Sequence, residues 1–318
     1  MEHNTIWKCT NAEGPVMSAN NNVTIFVNVP VSSLQLRPYG MVNINEFETV
    51  TFSCITGFCR PPAIISWWMN NVNITNTADM LTSDQNYTNG SLNYTGNRLH
   101  NGYIIVCKAS NGYGVESTAQ QGVVLNIRYA PDGSPSIGSY SNGSMFSIIE
   151  NTPQTLSCSI TGGNPLASLF WNCFGLVGSI NTVKQTVTSN IMLNVNRNRT
   201  GLPCQCFSVH ELQGNRTTIV LLQILYGAGI VHLSAQDSNT FNENSSASFH
   251  CHVDSNPLPT ITWTREDNNT VLMSESGVLQ NQFRIESVQC LDIGNYSCTA
   301  YNGIGTPVKE IVQLFVKL

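Results

Sequence analysis

The chain has 318 residues, a net charge of −5, 10% charged residues and 11 cysteines. An ordinary soluble protein carries about 25% Asp, Glu, Lys and Arg, whereas 38 Asn, 31 Ser and 28 Thr supply the polar surface here. With 14 basic residues the chain has no electrostatic footprint for nucleic acid and no polybasic cluster for an anionic membrane, while 41% apolar content suffices to bury cores.

In chain order, Met1-Glu2-His3-Asn4 carries no apolar leader. Val23 to Val27 alternates like a strand and leads to Val29-Pro30. From there one unit recurs every 90 to 105 residues. Cys54, Cys158 and Cys251 precede Trp67, Trp171 and Trp263 by 12 or 13 residues, and Cys107, Cys206 and Cys298 follow the first cysteines by 47 to 53. Ile65-Ser66-Trp67, Leu169-Phe170-Trp171 and Ile261-Thr262-Trp263 share one alternating phase. Short alternating segments separated by Gly, Asn and Pro predict an all-β chain of sandwiches with little or no α-helix. The first two units end on alternating strands, Leu125-Asn126-Ile127-Arg128-Tyr129-Ala130-Pro131 and Leu222-Gln223-Ile224-Leu225-Tyr226-Gly227, that run into a Pro or Gly hinge. The longest apolar run, Ile219 to Val231, is too short and too interrupted to span a bilayer.

Cys…Trp…Cys at this spacing resembles the immunoglobulin sandwich, in which the tryptophan packs on a disulfide joining strands B and F of opposite sheets. Leu291-Asp292-Ile293-Gly294-Asn295-Tyr296-Ser297-Cys298 is similar to that family's DxGxYxC, with Tyr296 at its tyrosine corner, and Ala300-Tyr301-Asn302-Gly303 to its turn into strand G. In the first unit Ile105 takes the corner position, while Ala109-Ser110-Asn111-Gly112-Tyr113-Gly114 still matches. Cys59-Arg60-Pro61-Pro62-Ala63-Ile64-Ile65-Ser66-Trp67-Trp68 and Gly163-Asn164-Pro165-Leu166-Ala167 resemble segments of nephrin/Kirre-like adhesion proteins. The resemblance implies three immunoglobulin-like domains, at 30–129, 130–227 and 228–318. Trp7-Lys8-Cys9 resembles the end of a strand F, so residues 1–29 read as the last hairpin of a truncated fourth domain, and the chain as a piece of a longer secreted protein.

The family bridges implied are Cys54–Cys107, Cys158–Cys206 and Cys251–Cys298. Cys173 and Cys204 lie two residues from Trp171 and Cys206, on the same inner face. They form an extra bridge between neighbouring strands in the reading that keeps the family bridge, although the residues leave open Cys158–Cys204 with Cys173–Cys206. Cys9 is left without a partner. Cys59 and Cys290 read as surface thiols or as links to another chain. Eleven Asn-x-Ser/Thr acceptors stand at Asn22, Asn73, Asn86, Asn89, Asn93, Asn142, Asn198, Asn215, Asn244, Asn268 and Asn295.

No catalytic role is expected: there is no GxSxG, HExxH, Walker loop or helix-opening GxGxxG. Scattered histidines and the absence of CxxC argue against a metal, and no cofactor or small-molecule substrate is implied. The resemblance implies an extracellular array that binds a protein partner, a like or related immunoglobulin receptor, with any membrane attachment lying in other segments. A secreted immune-recognition protein and a tandem-repeat matrix protein are the alternatives. The candidate contact surface is the F–G hairpin of the first domain, with Tyr103, Asn111, Tyr113 and Val115, because tyrosine is enriched at binding hot spots. Asn-Gly is equally an ordinary hairpin signal.

Overall fold

The computed structural model describes residues 6–7, 23–24, 27–77, 79–84, 87–114, 117–118, 122–235 and 238–317. Strands β1 (Ile6–Trp7) and β2 (Val23–Thr24) pair antiparallel. Cys9, Asn22, Asn86 and Val115 lie outside the described residues.

The first repeat holds β3 (Leu34–Arg37), β4 (Met41–Asn45), β5 (Thr49–Thr56), β6 (Ile64–Met69), β7 (Val72–Asn73), β8 (Asp79–Asp84), β9 (Tyr87–Thr95), β10 (Ile104–Ser110), β11 (Ser117–Thr118) and β12 (Val123–Pro131). One sheet runs β3-β5-β9-β8, and the facing one places β6 between β7 and β10, with β12 on the far side of β10. The second repeat holds β13 (Ser136–Ile137), β14 (Ser144–Ile149), β15 (Gln154–Asn164), β16 (Ser168–Asn172), β17 (Ser179–Val183), β18 (Thr186–Leu193), β19 (Pro203–His210) and β20 (Gly214–Ala235). Its sheets are β13-β15-β18-β17 and β16-β19-β20, with β14 along β20. The third uses the end of β20 with β21 (Thr240–Asn242), β22 (Ala247–Asn256), β23 (Thr260–Arg265), β24 (Thr270–Ser276), β25 (Gln280–Ile285), β26 (Gly294–Tyr301) and β27 (Val308–Lys317). Here β20-β22-β25 face β21-β27-β26-β23-β24.

The same devices recur in each repeat. One early strand runs parallel to the last: β4 to β12, β14 to β20 and β21 to β27. A one-turn 3-10 helix (Arg98–His100, Arg197–Arg199, Cys290–Asp292) precedes β10, β19 and β26. Each tryptophan stands directly opposite the second cysteine of its unit, at Trp67↔Cys107, Trp171↔Cys206 and Trp263↔Cys298. The cause is the period of two: along β12 buried and half-buried residues alternate without a break, so one face meets the core. There is no α-helix among the described residues.

Three hydrophobic cores result, drawn from residues 31–129, 137–224 and 228–314. Compactness divides the chain in two, Met1–Ala130 with Gly163–Pro165 and Pro131–Gly162 with Leu166–Leu318. The second and third cores share a unit because β20 serves both. This differs from the hinge expected at Gly227, where the strand continues through an irregularity in register between Tyr226 and Gly229. A Cβ at Gly227 would come 2.7 Å from the carbonyl oxygen of Ile304, so that glycine permits a close approach and does not end the strand.

The disulfides are Cys54–Cys107, Cys158–Cys206, Cys251–Cys298 and Cys173–Cys204, with Cα separations of 6.4, 6.4, 6.4 and 4.6 Å. Cys59 is fully buried in the first core and its sulfur lies 3.9 Å from the Thr56 hydroxyl, which corrects its reading as a surface thiol. Cys290 is exposed. Partial desolvation and the nearby Glu243 carboxylate raise its thiol pKa and so keep it protonated. Trp67 and Trp263 are buried, but Trp171 is only half-buried and donates its indole N–H to the Ser189 hydroxyl at 3.1 Å.

Candidate functional site

The first repeat exposes the outer face of the β6–β10 pair. Alternation sends Ile65 and Trp67 into the core and turns Ile64, Ser66 and Trp68 outward, opposite Ser110, Lys108 and Val106. Ile64 is 77% exposed. The Lys108 ammonium sits 4.4 Å from the centre of the Trp68 ring, whose N–H donates to the Ser66 hydroxyl at 3.0 Å. At the turn end of this face lies an open cleft of about 580 Å³ lined by Pro61, Pro62, Ile64, Ser66, Ser110 and Asn111.

The candidate residues do not gather at one place. Tyr103 is half-buried at the start of β10, stacked on His100 with ring centres 5.2 Å apart, and His100 in turn meets the Tyr94 hydroxyl at 3.1 Å. Asn111 and Tyr113 follow the other end of β10, about 25 Å away at 3.3 Å per residue. The Asn111 side-chain amide donates to the carbonyls of Val29 at 2.8 Å and Pro61 at 3.0 Å, so it ties the incoming chain to the cleft wall. Tyr113, 45% exposed, stands beside that cleft between Gly112 and Gly114, both at positive φ. Ile64 and Trp68 were not among the candidates, although the Trp67-Trp68 dipeptide carries the signal: on a strand with a buried tryptophan, its neighbour must face out.

All nine described acceptor asparagines are exposed: Asn73, Asn89, Asn93, Asn142, Asn198, Asn215, Asn244, Asn268 and Asn295. Asn89 and Asn93 lie on β9, in the sheet opposite the cleft. Asn73 pairs directly with Trp68, at the end of the β6–β10 face away from the cleft.

Between the second and third repeats, inside one compact unit, Arg197 forms a clamp. Its guanidinium bonds Glu150 at 2.8 Å and Asp254 at 2.6 Å and lies 3.9 Å from the centre of the Tyr226 ring, while the Tyr226 hydroxyl donates to Asp254 at 2.8 Å. Asn302 donates to the carbonyls of Tyr226 at 2.7 Å and Pro257 at 3.1 Å, the arrangement Asn111 makes in the first repeat. Arg197 holds the Glu150 carboxyl below its usual value, chiefly by hydrogen bonding. A depressed carboxyl contributes fully above its ordinary pKa, about 4.3 for glutamate, and that contribution is lost as the pH falls through the lowered value. Spin labels in the second and third repeats should therefore give a narrow distance distribution at neutral pH that broadens only in acid. Arg197→Ala should broaden it at every pH and cost about 1 kcal/mol, since the clamp is partly solvated.

Among the described residues no group of His, Cys, Asp and Glu could hold a metal. Among those residues, too, no helix is long and apolar enough to cross a membrane. Residues 231–302 match the family model described as immunoglobulin domain. The synaptogenesis protein syg-1 of Caenorhabditis elegans is 28% identical over 178 residues, which are 56% of this chain and 22% of that protein. Nephrin of Rattus norvegicus is 26% identical over 164 residues, 47% of this chain and 12% of its own length. The chain thus spans less than a quarter of either relative. A solved structure of three immunoglobulin domains of titin superimposes with a TM-score of 0.59 at 17% identity, covering 92% of this chain and 100% of that one, a likeness of fold.

Proposed function

Taking the chain as tandem repeats of the immunoglobulin superfamily, we propose that it is an extracellular array acting in cell–cell recognition, non-catalytic, that binds another immunoglobulin-type receptor. Three domains, at 30–129, 130–227 and 228–318, would each enclose one of the three cores. The observation that carries the reading is the cleft between the Pro61-Pro62 turn and the Asn111-Gly112 turn, with exposed Ile64 in its lining and exposed Tyr113 next in sequence to Gly112, which also lines it. Ile64 at the start of a strand and Tyr113 in the adjoining turn offer two large exposed side chains, which suits a protein surface better than a small substrate. Likeness to syg-1 and nephrin supports the same direction.

The test is bead aggregation of cells or beads bearing the full receptor. Ile64→Asp and Tyr113→Ala alter exposed side chains and should leave melting unchanged. Each should weaken adhesion at least tenfold, the loss of about 1.4 kcal/mol. Unchanged adhesion with both variants would remove the cleft from the contact surface.

A further inference from the structure

The outer face of the second repeat carries an apolar pair that stays partly open to solvent. Phe170 on β16 and Phe207 on β19 are direct cross-strand partners, stacked with ring centres 5.5 Å apart. Phe170 is 49% exposed and the neighbouring Val209 38% exposed. On the next strand Asn215 stands directly opposite Val209, and Thr217 opposite Phe207. Buried Thr218, Val220 and Leu222 fix the phase of β20, so Asn215 and Thr217 point outward with the phenylalanines. Asn215 is therefore diagonal to Phe207, about 7–8 Å away.

Several asparagines outside acceptor sequences are tied into the fold through their amides. Asn111, Asn256, Asn281 and Asn302, none of them in an acceptor sequence, donate through Nδ2 to groups that hold the fold. The acceptor asparagines Asn73, Asn142 and Asn268 receive backbone N–H groups on Oδ1, as Asn111 and Asn302 also do, and are themselves exposed. Asn215 is exposed and sits in such an acceptor sequence, Asn215-Arg216-Thr217.

We infer that Asn215 is N-glycosylated and that the first sugars lie across the Phe170–Phe207 pair, covering the outer face of the second repeat. The inference rests on the extracellular reading. The Asn215 Nδ2 bonds to the anomeric carbon of the first N-acetylglucosamine of a lipid-pyrophosphate-linked oligosaccharide. The lipid pyrophosphate leaves from that carbon, and one Nδ2 proton is lost. The C–H face of a pyranose is as broad as a phenyl ring and carries partial positive charge, which complements the negative face of an aromatic ring. The sugar would give the phenylalanines an apolar cover with a wet outer side, and would close this face to protein partners while the cleft of the first repeat stays open.

The chain is expressed with a secretory leader, and peptides containing Asn215 and Asn89 are analysed by mass after enzymatic deglycosylation in heavy-oxygen water. Asn215 should be occupied. Asn215→Gln and Thr217→Ala should each lower the melting temperature by a few degrees and raise hydrophobic-dye binding several-fold. In a Phe170→Ser/Phe207→Ser background the same changes should have no further effect, because the cover and the covered surface form one interaction. A secreted, oxidised protein with Asn215 bare, or additive effects in the combined variants, overturns the inference alone. A chain that enters the secretory route but is not released with its bridges formed overturns the extracellular reading.

Discussion

In strong reductant the chain should lose its folded state at temperatures where the oxidised form is intact. Three bridges close 53, 48 and 47 residues, and a fourth closes 31. Chain entropy alone assigns about 4 kcal/mol to a loop of about 50 residues. That is a large part of the roughly 5–15 kcal/mol by which a domain is stable. Each of the three long bridges lies fully buried and joins one sheet to the other, so its loss also leaves its tryptophan without a hard neighbour. Calorimetry with and without reductant reads the effect. The paired change Cys54→Ala with Cys107→Ala should lower the transition of the first repeat and leave the two later repeats at their wild-type temperatures. An unchanged melting profile in reductant would contradict both the energetics and the assignment to an oxidising compartment.

Trp263→Ala should be the most damaging single substitution in the third repeat. Trp263 has no exposed surface and lies among Phe249 and Phe283, with ring centres 6.1 and 5.9 Å away. Its indole N–H donates to Asn281 at 2.9 Å, and Asn281 in turn donates to Glu275. Truncation of a buried tryptophan costs about 3–5 kcal/mol, and the orphaned Asn281 oxygen adds about 1–3 kcal/mol. Trp171→Ala offers an internal control: that ring is half-buried, so its loss should cost about half as much. Denaturant midpoints of the mutated repeat in the two variants, followed by circular dichroism, give the comparison. Equal shifts would mean that burial does not set the cost.

Much of this fold is legible because its determinants are periodic. Cys and Trp at fixed intervals mark β5, β6 and β10 and their counterparts in the later repeats, and alternation fixes which side chains reach the core. Parity puts Cys173 and Cys204 on the inner face with Cys158 and Cys206, and only the resemblance to the family bridge selects between the two pairings; the structure has Cys173–Cys204. What escapes is set by packing that spacing cannot express. Gly227 reads as a hinge, yet its small size lets a neighbouring carbonyl approach while the strand continues. Cys59 lies in a turn rich in proline, where exposure is the ordinary expectation, but the turn folds over the core and buries it. Asn111 advertises a hairpin tip, and its role is to tie that tip to the entering chain. Of the proposed contact surface, residue type points to Tyr113, whereas Ile64 requires the strand's outward phase to be read as carefully as its inward one.

The parallel ladders have a mechanical consequence. In each repeat a strand near the entry of the chain runs beside the exit strand in the same direction: five paired positions for β4 with β12, six for β14 with β20 and three for β21 with β27. Tension applied through the backbone pulls the two members of each ladder past one another along their length. All the rungs are then loaded together, and none can open before its neighbours as in the unzipping of a hairpin. The ladder with most rungs, in the second repeat, should resist longest. A chain stretched between two surfaces would thus yield in steps, with the repeat that carries the extra bridge the last to give way.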